Sequence, residues 1–491
     1  MKTFKILLPG LMAAQVIAAV QVYSSNASLA EALALVKNAG YITVPGPHIA
    51  SGLLDMAPAF FGGLFFTFSI GAGISLLSLL AFWVWDRVFS RNKWLLIPML
   101  VIWILCLAAV NGQGICFGGT VYFLIIPPIV YAASRRWMPP RKGGKTALRE
   151  GACALPVLLI GLIWMSQAGG DMFISIRDNL LLSNAVGSQV NDFYYKYTMF
   201  PAEVFKTLEQ KTIKTCNLES ILNIPSAGSI EKTLIGYDYF NAEEYRDADL
   251  TLKEEKGTLL FQNSGNNILR TSIEEFALQP STILKEFSDK SDRDAFFREM
   301  VFLSVLIGFP VILYVALYAV IHTALQLLLS QGYASITTAL ICFFIGAALL
   351  FPFLGSGISV HDDNPASALQ SDNRRDRVAA LRYMGEKELD VAGFENYGKR
   401  LTSPYVPERY WLAVALGVSQ RPESYEDILI LLDDPSPNVV CKAFEALGRR
   451  GNKNAVKEIL QRIEKSKYGW YEQWYAYKAL KALGWNQTGS R

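Results

Sequence analysis

Charge is scarce in this sequence. Asp, Glu, Lys and Arg make up 18 % of the residues and apolar residues reach 52 %, whereas an ordinary soluble domain is about 25 % charged. Part of the chain therefore belongs in lipid. A large charge of either sign is also missing. The formal balance of +3 arises mainly from two short basic loops, which argues against a nucleic-acid-binding face. Histidine is limited to His48, His322 and His361, too widely separated to supply metal-ligand spacing. The six cysteines, Cys106, Cys116, Cys153, Cys216, Cys342 and Cys441, form no Cys-x-x-Cys or haem-attachment pair, so no disulfide framework and no bound cofactor is expected. P-loop, Gly-rich dinucleotide loop, Gly-x-Ser-x-Gly elbow and His-Glu-x-x-His helix are all absent, and an enzyme has no support from motifs.

Long apolar runs are plentiful. A bilayer core takes about 20 apolar helical residues. Seven runs qualify: Ile6 to Tyr23, Ala59 to Trp85, Trp94 to Val110, Thr120 to Ser134, Cys153 to Ala168, Met300 to Thr323 and Ile336 to Ile358. Pro127 and Pro128 lie inside the fourth, whose ends are the least defined. The first, preceded by Lys2 and Lys5 and followed by Ser28 and Ala30, reads either as an anchor or as a cleavable signal peptide. Inside the runs the strongly polar residues are Gln15, Gln21, Ser69, Ser75, Ser78 and His322, with no carboxylate to hold a transported ion. His322, near one end of the sixth run, reads as solvated or helix-capping.

Lys and Arg beside a span stay on the cytoplasmic side. Arg87, Arg91 and Lys93 follow the second run, and Arg135, Arg136, Arg141, Lys142, Lys145 and Arg149 follow the fourth. Counting alternately from a cytoplasmic N-terminus puts both basic loops inside. Trp83, Trp85 and Trp94 bracket the first of them as interfacial anchors. The expected fold is a multi-pass α-helical membrane protein of about seven spans. About five lie in 1–170, an extracytoplasmic α+β insertion occupies 171–298, two further spans occupy 299–358, and an all-α extracytoplasmic domain fills 359–491.

Within the insertion, residues 183–211 read as a helix, a break near Pro201 and a second helix with Ala202 and Glu203 in its first turn. Polar and apolar residues alternate on both sides of Lys256-Gly257, a hairpin pattern. Phe193, Tyr194, Tyr195, Tyr197 and Phe200 follow the fifth run and read as interface anchors or juxtamembrane core rather than a hydrophobic-ligand site.

The tail repeats itself. RVAALRYMGE, RYWLAVALGV, VCKAFEALGR and YAYKALKALGW align on Gly385, Gly417, Gly448 and Gly484, spaced 32, 31 and 36 residues apart. Each glycine follows Met384, Leu416, Leu447 or Leu483, where a left-handed glycine would close a helix and the preceding alanines would let neighbours approach. Second helices lie between, so each unit is a helix pair and the tail is expected to stack as a solenoid. The stretch from Leu431 to Leu460, with its Asp434-Pro435 turn, Val439, and closing Ala446-Leu447-Gly448, resembles the HEAT-like repeats of the phycobilisome-lyase type. Val440 and Cys441 stand where that family commonly has arginine. The resemblance covers about the last quarter of the chain, from near Asp372, and implies a protein-binding surface more often than an active site.

Trp470, Tyr471, Trp474, Tyr475, Tyr477 and Trp485 crowd the last repeat, with Trp470, Trp474 and Tyr477 on one helical face. Trp470, Tyr471, Trp474, Tyr477 and Trp485 are the candidate partner-binding residues. The competing expectation is that they seal the end of the array or rest on the membrane domain. Asp362, Asp363, Asp433 and Asp434 read as loop caps rather than a catalytic or calcium site. The expected role is a scaffold or assembly factor of a bacterial inner membrane, its partners an envelope protein and the bilayer. A transporter or channel component with a regulatory tail, and an envelope enzyme acting on a lipid-linked substrate, are the alternatives.

Overall fold

Apolar runs as long as these satisfy their backbone in lipid only by coiling into helices. The computed structural model describes residues 2–138, 156, 159–166, 172–221, 225–242, 248–350, 365–463 and 468–487. The chain is mostly helical. Among the described residues six helices are long and apolar enough to cross a membrane. They are α1 (Lys2–Asn38), α2 (Met56–Arg87), α3 (Lys93–Val110), α4 (Phe117–Trp137), α8 (Ala295–Leu325) and α9 (Gln331–Leu350). Of the fifth apolar run, residues 156 and 159–166 are described and are helical, and its other positions lie outside the described residues, as does the seventh run beyond Leu350. Helix α1 continues some fifteen residues past the run read from the sequence and packs along α2 and α4.

Two indoles answer two prolines. Pro127 has no N–H for the Phe123 carbonyl one turn back, and Trp103 Nε1 donates to that oxygen instead, at 2.8 Å. Pro310 frees the Leu306 carbonyl in the same way, and Trp164 Nε1 takes it at 2.8 Å. The helix around Pro127 and Pro128 is therefore continuous from Phe117 to Trp137. His322 departs from expectation: it is 8 % exposed, stacked on Tyr318 at 5.5 Å and within 3.2 Å of the Ser335 hydroxyl of α9. Packing of α8 on α9 buries it.

Between α4 and α8 lie α5 (Ala185–Tyr197), α6 (Ala227–Gly236), α7 (Pro280–Ser291) and a five-stranded sheet. The strands are β1 (Lys214–Asn217), β2 (Tyr239–Asn241), β3 (Leu250–Glu255), β4 (Thr258–Asn263) and β5 (Asn266–Ser272), in spatial order β2-β1-β3-β4-β5. β1 runs parallel to both neighbours, and the other pairs are antiparallel. Lys256 and Gly257 both take positive φ, 54° and 79°, the backbone of a tight two-residue hairpin. Leu234 of α6 and Ile283, Leu284 and Phe287 of α7 bury against Leu250, Leu252 and Phe261 of the sheet. The break after α5 falls at Thr198, and Pro201 sits inside the first turn of the next helix, Met199–Val204, where its missing N–H costs nothing.

The tail holds α10 (Arg374–Glu386), α11 (Val406–Leu416), α12 (Pro422–Leu431), α13 (Pro437–Arg450), α14 (Ala455–Ile463) and α15 (Trp470–Ala482). α10, α11, α13 and α15 form a packed row, with α12 against α11 and α13, and α14 against α15. Charges link successive members. Arg377 of α10 meets Glu408 of α11 at 2.5 Å, and Arg409 of α11 meets Asp434, before α13, at 2.5 Å.

Of the four repeated glycines, only the last closes its helix in the way the sequence suggests. Gly385 and Gly448 lie inside helices, Gly417 has φ −61°, and only Gly484, at φ +78°, is left-handed. For Gly417 and Gly448 the reason is contact. A Cβ on Gly417 would fall 3.1 Å from Ala446 Cα, and one on Gly448 would fall 3.0 Å from Ala479 Cα, so the missing side chain is where one helix of the row touches the next.

Candidate functional site

A dense set of long-range contacts lies along a seam. On one side are the connector between α1 and α2, the stretch around α5, and the turn between α6 and β2; on the other are α11, α13 and α15. Outside its short helix Pro47–Ala50 the connector must find partners for its backbone, and two tail glutamines supply some of them. Gln487 accepts from Ile42 N at 2.8 Å and donates to Ile42 O at 3.0 Å. Gln473, fully buried, accepts from Gly46 N at 2.8 Å. His48 Nε2 lies 2.9 Å from the Tyr468 carbonyl.

Aromatic contacts fill the middle of the seam. Trp470 meets Phe200 edge-on at 5.2 Å, and Tyr471 meets Tyr195 at 4.8 Å and stacks on Tyr194 at 6.0 Å. Lys206 lies over the Trp470 and Trp474 rings, at 5.6 and 6.0 Å, while its ammonium pairs with Glu203 at 2.7 Å. Tyr477 packs edge-on against Trp485 at 6.1 Å and donates to Asp238 Oδ1 at 2.5 Å. Lys481 reaches the same carboxylate at 3.1 Å and the Gly236 carbonyl at 2.7 Å. Burial raises the Tyr477 pKa and the Asp238 charge adds to the rise, so the phenol stays protonated and remains a donor.

Two further points tie the seam. Asn191 of α5 donates to Asn438 of α13 at 2.7 Å, with both residues buried. Trp411 Nε1 of α11 donates to Asp178 at 2.8 Å, and the Arg177 guanidinium sits 3.6 Å over the Tyr410 ring.

Every candidate partner-binding residue falls in or beside this seam. Trp470 and Tyr477 are buried, and Tyr471, Trp474 and Trp485 are partly so. The structure covers the aromatic face with the chain's own segments. Sequence reasoning missed Gln473, Gln487, Asn191 and Asp238, because isolated amides and one acid carry no spacing signal. Asp433 and Asp434 do more than cap: besides accepting from Ser436 N at 2.8 Å, Asp434 binds Arg409, and Asp433 pairs with Arg462 at 3.0 Å. Asp362 and Asp363 lie outside the described residues.

Beside the seam, Lys214 of β1 is 6 % exposed and lies 4.9 Å over the Tyr239 ring. Burial lowers its pKa to about 8, against the opposing pull of Asp238 and Asp249. Among the described residues no three His, Cys, Asp or Glu side chains are grouped so as to hold a metal ion. Comparison with family models, with curated proteins and with solved structures gives no match to this chain.

Proposed function

We propose that the chain is a membrane-anchored scaffold or assembly factor, whose HEAT-like tail binds an envelope protein outside the cytoplasm of a bacterial cell. The observation that carries this reading is the seam: a row of paired helices is pinned to the membrane-proximal segments by at least three buried polar contacts and an aromatic core. Such pinning holds a recognition surface in a defined pose and lowers the ordering cost of binding. Because the aromatic end of the tail is occupied internally, the partner engages the remaining surface. That surface includes Ile430, 56 % exposed on α12, and a shallow groove along α14 edged by Lys453, Val456, Lys457 and Leu460.

The contacts among connector, insertion and tail fit a shared side for all three. Thr212 touches Val44 and Gln487 touches Ile42, so the connector, the insertion and the tail share one end of the helices. Three candidate spans separate the connector from the insertion and five separate it from the tail. Both counts are odd, whereas a shared end takes an even number, which the fifth apolar run read from the sequence would supply; this parity is the same for either orientation of the N-terminus.

Partner capture from detergent-solubilised membranes tests the proposal, comparing the full chain, a truncation after Ile358, and Ile430→Glu. Partners of the full chain are expected to disappear from the truncation and weaken with Ile430→Glu. Identical partner lists for the full chain and the truncation would sink the reading.

A further inference from the structure

Helix α5 has three faces. At 100° per residue, Gly187, Asn191 and Tyr195 fall on one side, and it is this side that meets the tail through Asn438 and Tyr471. Gln189, Asp192 and Lys196 form a second, exposed and polar side. Val186, Val190 and Phe193 form a third side that is apolar yet 72, 53 and 39 % exposed. The described protein leaves Val186 and Val190 on that side largely uncovered, and the side does not end at the helix. Phe193 and Tyr197 meet Phe61 of α2 at 5.8 and 5.0 Å, and Phe61 belongs to the outward-facing apolar set Met56, Phe60 and Phe65. At Gly62 the two segments touch: a Cβ there would lie 3.1 Å from Pro201 and 3.4 Å from the Tyr197 carbonyl. The apolar side of α5 thus continues the lipid-facing surface of α2, about 8 Å along that helix from its first residue, a depth typical of helices lying in a bilayer interface.

We infer that α5 is an interfacial helix, which seats Val186, Val190 and Phe193 among the acyl chains of the leaflet at the connector end. Its polar side stays at the headgroups, and the side of Gly187, Asn191 and Tyr195 carries the tail. The inference rests on the reading of α2 and the neighbouring α3 as spans. It makes the lipid surface a binding partner in its own right, since the element that holds α13 and α15 is itself held by the bilayer.

The test uses the full chain in phospholipid nanodiscs, with benzoylphenylalanine placed at Val190, at Asp192 on the polar side, or at Ile102, a 61 % exposed position of α3. After irradiation, intact-mass measurement reads phospholipid adducts. Position 190 is expected to yield them at a level approaching that of position 102 and several-fold above position 192. Adducts at 102 without adducts at 190, or equal yields at 190 and 192, overturn the placement of α5. Absence of adducts at 102 overturns the span reading beneath it, and the inference falls with that.

Discussion

A lysine buried against a tyrosine ring on an inner strand of a sheet has an energetic consequence. Lys214 carries a folded-state pKa of about 8 against 10.5 when free. Between those values the unfolded chain binds more protons, so stability rises with pH across that window and the cost of the buried charge is fully present below it. That cost is on the order of 3 kcal/mol. Lys214→Met keeps most of the buried stem and removes the charge. It is expected to raise the urea midpoint of the detergent-solubilised protein at pH 7, with the advantage over the parent fading from pH 8 to 10.5. A destabilised variant at pH 7 would show that the ring contact and the two aspartates outweigh desolvation. Single residues also explain what the sequence left open in the spans. Nothing in the spacing of Trp103 and Trp164 announces that their indoles complete the hydrogen bonding of helices interrupted by proline, because the partners are 20 and 142 residues away.

At the scale of elements, the tail repeat was legible and its physical cause was not. Alignment on four glycines marks the right positions, but glycine serves either backbone freedom or close approach, and sequence cannot tell these apart. Asparagine separates them, since it tolerates the left-handed region yet brings a side chain. Gly484→Asn, with open space around the site and φ +78°, is expected to leave thermal stability nearly unchanged. Gly448→Asn drives a side chain into Ala479 and is expected to cost about 1–3 kcal/mol. Equal effects from the two substitutions would remove the close-packing explanation. The Lys256-Gly257 hairpin was also readable, because a two-residue turn is a local matter. The parallel pairing of β1 with β2 and β3 was not, because it joins segments through α6 and loops that carry no alternation of their own.

For the whole molecule the decisive feature is that tail, insertion and connector meet at one end of the helices. The meeting ties compartment to architecture: whichever side holds one of them holds all three. On the proposed sidedness, alkaline phosphatase fused behind Arg491 is expected to be active in cells, since basic loops favour the cytoplasmic side. A fusion active only as a cytosolic reporter would reverse the sidedness of all three regions together.

The sequence by itself determined that much of this chain is helix suited to lipid, where those helices lie, and that its last quarter repeats, because hydropathy and periodicity are local properties that solvent and backbone geometry read directly. Only the tertiary structure decided what the crowded aromatics touch. Trp470, Tyr471 and Tyr477 could equally have met solvent, a partner or the chain itself, and the choice rests on Asp238, Phe200 and Tyr195, which lie far away in sequence and reach the tail only when the chain folds back on its own membrane-proximal segments.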